Sequence, residues 1–177
     1  LRTAVSLWIS NQQQARDTYG EINQWDTRIV TNMKNLFSGS HSFNSDISGW
    51  DTSNVTDMSG MFNGASSFNK SLKTTGNMWD TGQVRDMSGM FDGANQFNQD
   101  LSSWDTSKVL DMGNMFSAAF SFNQNLNQWK TQNVTSMVGM FYNATQFNGN
   151  LSTWDTQNVS NMKLMFFGAT QFNKPLT

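Results

Sequence analysis

The sequence predicts an α/β solenoid, a right-handed superhelix of about seven stacked turns with short parallel strands and short helices. Three observations predict it. Tryptophans recur at Trp25, Trp50, Trp79, Trp104, Trp129 and Trp154, 25 residues apart with one gap of 29. Each is followed by the same apolar series: Val five residues on (Val30 to Val159), Met eight on (Met33 to Met162), and Leu36 or Met eleven on (Met61 to Met165), with Phe next. The unit closes on a Phe-Asn pair, Phe43-Asn44 through Phe172-Asn173, and then Ile47, Leu72, Leu101, Leu126, Leu151 or Leu176. Such a unit cannot bury its apolar face alone, and stacking neighbours on both sides does so.

Residues 1–24 depart from the pattern. Val5 and Trp8 stand where the Val and first Met would be, but Asn11 and Gln12 replace the Met-Phe pair. Ala4, Val5, Trp8 and Ala15 predict one amphipathic cap helix ending near Tyr19-Gly20, followed by a degenerate first turn. Residues 25–177 hold six repeats. Within each, Val, Met, Met and Phe fall at i, i+3, i+6 and i+7, which predicts a short helix. Asn54 and Asp57 read as its caps, and Gly64-Ala65 as its end. The stretch from Leu101 to Thr106 is the expected strand. Successive strands would lie parallel about 4.8 Å apart, so seven turns span roughly 34 Å. Four extra residues fall within Lys73-Thr74-Thr75-Gly76-Asn77-Met78; insertions in such arrays collect on one face, often the binding face, but a tolerated surface loop is the preferred reading.

Composition narrows the function. Net charge is −2 and 14% of residues are charged, too weak a field to recruit nucleic acid or an anionic membrane. With 14 Phe, 12 Met and 7 Trp the chain is too apolar to be disordered. There is no Cys, which excludes disulfides and thiolate metal sites. No apolar run is long enough to span a membrane, and no signal peptide is legible. A first residue other than Met points to a fragment or a mature form. Eleven of the methionines sit in the apolar columns, where they read as packing and not as a cofactor box. No cofactor is expected.

Segments such as FNQDLSSWDTSKVLDMGNMF and FNGNLSTWDTQNVSNMKLMF resemble the BspA-like bacterial surface-protein repeats, and the resemblance covers about residues 20–177. The opening LRTAVSLWIS…YGEINQWDT resembles the segment that precedes such arrays. The resemblance implies a leucine-rich-repeat-like fold and an extracellular or cell-surface location. It further implies adhesion or recognition of a protein or glycan ligand, without catalysis. Fold transfers between such proteins better than any ligand does.

Several columns could carry chemistry. Asp26, Asp51, Asp80 and Asp105, continued by Asp155, follow the Trp positions with Lys130 interrupting. Stacked carboxylates repel, and calcium could relieve them. Capping of backbone N–H groups in turns is the preferred reading, because Asn32, Ser136 and Asn161 replace acid in the parallel column of Asp57, Asp86 and Asp111. The Asn column reads as an internal ladder. The threonines Thr27, Thr52, Thr81, Thr106, Thr131 and Thr156 read as structural, with ice or ordered water as a remote alternative. His41 is the single histidine and has no thiol or evident nucleophile to serve. Sequons place glycosylation candidates at Asn143, Asn150, Asn133, Asn158 and Asn54, with Asn69 disfavoured by its ladder position. Asn143 leads because it precedes an Ala in the turn. Both ends of a stack expose unpaired edges, so Phe172, Leu176, Val5 and Trp8 are candidates for a head-to-tail homo-oligomer, a filament-forming alternative to adhesion.

Overall fold

The computed structural model describes residues 1–74 and 78–176. The chain runs as turns stacked on one another at the repeat spacing, but the secondary structure expected of an α/β solenoid is not there. Among the described residues the α-helices are α1 (Arg2–Ser10) and α2 (Gln12–Tyr19), joined to a short 3-10 turn at Ile22–Gln24. Among the described residues the repeats contain neither helix nor strand. Parallel pairing is reduced to isolated bridges linking Asn32, Asp57, Asp86, Asp111, Ser136 and Asn161 in sequence.

The reason lies in where the backbone donors go. Met33, Asn35, Phe37 and Gly39 each donate their N–H to the next turn, to the carbonyls of Asp57, Ser59, Met61 and Asn63 at 2.7 to 2.9 Å. The residues between them close tight turns: Leu36 donates to Met33, Ser38 to Asn35 and Ser40 to Phe37. No donor is left for the i→i−4 ladder of a helix. Two positions in every unit also hold a positive φ, Asn35 and Gly39 in the first repeat, Gly60 and Gly64 in the second. A left-handed residue four positions from another suits serial type II turns and forbids an α-helix. The i, i+3, i+6, i+7 pattern is therefore turn geometry that copies a helical period.

The expected strand fails for a related reason. Trp104 donates its N–H to Leu101 and Val109 to Thr106, so the segment is two turns flanking Trp-Asp-Thr. Side chains make the contacts between layers there. The indoles of Trp50, Trp104, Trp129 and Trp154 donate to the carbonyls of Ile22, Leu72, Leu101 and Leu126 at 2.6 to 3.0 Å.

Identical positions pile into rows. Phe37, Phe62, Phe91, Phe116, Phe141 and Phe166 stack with centroids 5.5 to 5.7 Å apart. Phe43, Phe68, Phe97, Phe122, Phe147 and Phe172 form a second row at 5.7 to 6.1 Å. Offset parallel rings at this spacing satisfy the aromatic quadrupole and bury large areas. The Met, Val and Leu columns fill the space between in one contiguous core, with Met162 and Leu176 of the last layer outside it.

The cap is two helices where one was expected. Asn11 leaves helical geometry at φ −151° and its side chain accepts the N–H of Gln14, starting α2. Gly20 at φ 76° ends it. Val5, Trp8 and Ala15 are buried against the first turn, Trp8 lies edge-on to Trp25 at 5.7 Å, and its indole reaches Ser45 at 3.0 Å.

Candidate recognition surface

The acidic columns are built into turns. Oδ1 of Asp26, Asp51, Asp80, Asp105 and Asp155 accepts the N–H two residues on, at 2.8 to 3.1 Å. Asp57, Asp86 and Asp111 do the same at 2.7 to 2.9 Å, and Asn32 and Asn161 substitute for acid in that role. Cations answer part of the repulsion, Arg28 pairing with Asp26 at 2.7 Å and Lys130 with Asp105 at 3.7 Å; outside the columns Lys73 pairs with Asp100 at 3.2 Å. The Arg28 hydrogen bond holds Asp26 down at about 2. Hydrogen bonds from the Ser53 hydroxyl and N–H depress Asp51. Partial burial pushes Asp105 up, but the Ser107 N–H and hydroxyl together with Lys130 outweigh it. Among the described residues no three His, Cys, Asp or Glu side chains gather where they could hold a metal ion.

Polar ladders tie the layers together. Each threonine hydroxyl of Thr27, Thr52, Thr81, Thr106 and Thr131 donates to a carbonyl of the next turn, and all five are buried. Buried hydroxyls cannot order surface water, so these five are structural, and Thr156 is the one exposed member of the column. The asparagine ladder exists: Oδ1 of Asn44, Asn69, Asn98, Asn123 and Asn148 accepts the N–H of the next Asn at 2.7 to 3.0 Å. It runs along the surface, where Asn44, Asn98 and Asn123 are exposed, and not through the interior. His41 is engaged too, its Nδ1–H donating to the Gly64 carbonyl at 2.8 Å.

The sequon candidates separate by what their amides do. Asn54, Asn133 and Asn158 are exposed, but each Nδ2 donates to a carbonyl of the preceding turn, Arg28, Ser107 and Gln132, at 2.7 to 2.8 Å. Asn150 is half-buried and its Oδ1 caps Ser152. Asn143 is half-buried at φ 55°, filling a left-handed position that Gly holds in other units. Its side chain carries no layer-to-layer hydrogen bond of the kind that occupies the other three amides. The assembly candidates also divide: Val5 and Trp8 are covered within the chain, whereas Phe172 is half-buried and Leu176 is exposed.

The insertion lengthens one turn of the stack by four residues. Residues 75–77 lie outside the described residues. Its first part is anchored on the next turn, where Thr74 donates its N–H to the Ser103 hydroxyl and its own hydroxyl to the Ser103 carbonyl. Beside it is a groove of about 380 Å³ lined by Asp51, Ser53, Thr74, Met78, Trp79 and Asp80. Trp79 is displaced from its column. It makes no ring contact with Trp50 or Trp104, and its buried indole N–H has no acceptor. Sequence spacing located the insertion but gave no sign that the neighbouring indole would lose its partner.

A family model described as Mycoplasma protein of unknown function, DUF285, matches residues 9–76 and 72–177. No curated protein and no solved structure matches the chain. The two matched stretches together take in the α2 helix and all the stacked turns, so the chain belongs to the DUF285 family.

Proposed function

We propose that the chain is a non-enzymatic recognition module, displayed outside the cell or on its surface, that adheres to a protein or glycan. The observation that carries this reading is the groove at the insertion. At the insertion the exposed Met78 and the buried Trp79 adjoin the carboxylates of Asp51 and Asp80 and the hydroxyls of Ser53 and Thr74. One exposed apolar side chain among several fixed polar groups supports ligand recognition there. The resemblance of the repeats to BspA-like surface proteins supports the same reading.

The test is a binding screen of the whole chain against immobilised glycans and extracellular-matrix proteins, beside the variants Met78→Asp and Ser53→Ala. Binding that falls in both variants supports the groove. Binding that survives both unchanged overturns it. Protease shaving of intact source cells tests the location, and a chain fully protected from protease contradicts surface display.

A further inference from the structure

We infer that the groove at the insertion takes an extended peptide segment free of acidic side chains, one of whose main-chain carbonyls accepts the Trp79 indole N–H. This rests on the groove being where the chain recognises its ligand, and it narrows that ligand to a protein. The stack itself shows which acceptor suits these indoles. Trp25, Trp50, Trp104, Trp129 and Trp154 each donate to a main-chain carbonyl, at 2.6 to 3.2 Å. By the repeat, the carbonyl for Trp79 would be that of Ile47. It receives the backbone N–H of Trp50 at 3.1 Å but not this indole. Trp79 is 1% exposed, and a buried donor without a partner carries a desolvation cost that an incoming acceptor removes.

The rest of the groove supplies acceptors. Oδ1 of Asp51 is taken by the N–H and hydroxyl of Ser53, and Oδ1 of Asp80 by the N–H of Gly82. Oδ2 of each accepts no hydrogen bond among the described residues. The hydroxyls are already spent, that of Ser53 on Asp51 and that of Thr74 on the Ser103 carbonyl. Two carboxylate oxygens and one indole N–H suit an occupant that alternates donors and acceptors along its length, as an extended main chain does. The same two carboxylates repel acidic side chains. A sugar would gain most from an exposed aromatic face, and the one aromatic ring lining this groove is buried. Because that ring is covered, the incoming carbonyl must displace part of the groove wall to reach its nitrogen.

The test screens the whole chain on an array of synthetic heptapeptides of random sequence, then measures the tightest in solution by fluorescence anisotropy. Bound peptides should be poor in Asp and Glu. On titration the Trp79 indole proton, assigned by its loss in Trp79→Phe, should move downfield and exchange more slowly. Trp79→Phe should weaken binding about fivefold, the worth of one hydrogen bond. Asp80→Asn, at an exposed side chain, should weaken it as well and serves if Trp79→Phe fails to fold, which circular dichroism checks. No saturable peptide, a preference for acidic peptides, or a bound peptide that leaves the indole proton unmoved overturns the proposal. N,N′-diacetylchitobiose binding that Met78→Asp abolishes, with no peptide bound, overturns the peptide but leaves the groove as the recognition site. Peptide binding that Met78→Asp, Trp79→Phe and Asp80→Asn all leave unchanged overturns both.

Discussion

The hydroxyl of Thr106 accepts the N–H of Lys130 at 2.8 Å and donates to the carbonyl of the same residue at 3.1 Å. One side chain thereby satisfies both backbone groups of a residue in the next layer. Thr52 does the same for Asp80, at 2.7 Å in each direction. The pairing replaces a strand ladder at the point where the turns bend too sharply to form one.

Thr106→Val keeps the shape and removes both bonds. Leaving the backbone of Lys130 unpaired beside a buried site should cost about 2 kcal/mol. Urea unfolding measures it, and a loss below about 0.5 kcal/mol would mean that the hydroxyl is dispensable.

The displaced tryptophan gives a matched pair of variants. Trp104 stacks on Trp129 at 6.2 Å and donates to the Leu72 carbonyl, whereas the Trp79 indole donates to nothing. Trp104→Ala should cost about 3–5 kcal/mol. Trp104→Phe should be worse than Trp79→Phe by about 1 kcal/mol, the worth of the hydrogen bond that only Trp104 makes. Equal losses in the two Phe variants would contradict the difference between the indoles.

Left-handed positions predict effects of opposite sign. Leu164 sits at φ 60°, where units two, three and five carry Gly. Leu164→Gly should stabilise the chain by about 1 kcal/mol by relieving backbone strain. Gly60→Ala should destabilise it by about 1–3 kcal/mol, because a Cβ there would meet Oδ1 of Asn35 at 2.1 Å in a conformation already unfavourable for Ala. Thermal melts of the two variants should shift in opposite directions.

Asp26, Asp51, Asp100 and Asp105 titrate below the ordinary carboxylate range in the fold. Between the folded and unfolded values the unfolded chain binds the proton more readily. Their contribution is therefore present above about pH 4 and drains away as pH falls through the depressed values, which for Asp26 is about 2. Asp92 runs the other way: burial raises it, against hydrogen bonds from Ser117 and Asn63. Its ionised form works against the fold, so Asp92→Asn should raise the melting temperature at pH 7 and lose that advantage at pH 3. Melts at both pH values check the pair of signs, and a variant less stable at pH 7 would refute the assignment.

Much of this molecule could be read from residues alone. The spacing of the tryptophans gave the unit length. The recurrence of Met58, Met61, Phe62 and Phe68 named the core, because rows that stack on themselves must repeat. Asp at turn positions and Thr52 as a structural residue followed from side-chain hydrogen-bonding capacity. What misled was periodicity. Apolar residues at i, i+3 and i+7 describe an interior face, and a helix is only one backbone that makes such a face. Gly60 and Gly64 both argue against a helix, although Gly64-Ala65 reads by itself as a helix end. Whether their N–H groups would close a helix or reach the next layer depends on having a next layer, with carbonyls at the right height. That is a property of the stack. The same holds for Trp79, which matches Trp104 in sequence but whose indole N–H has no acceptor in the fold. Composition and spacing determined which side chains face inward; the competition between local and interlayer hydrogen bonds, decided only in the assembled tertiary structure, determined the backbone that carries them.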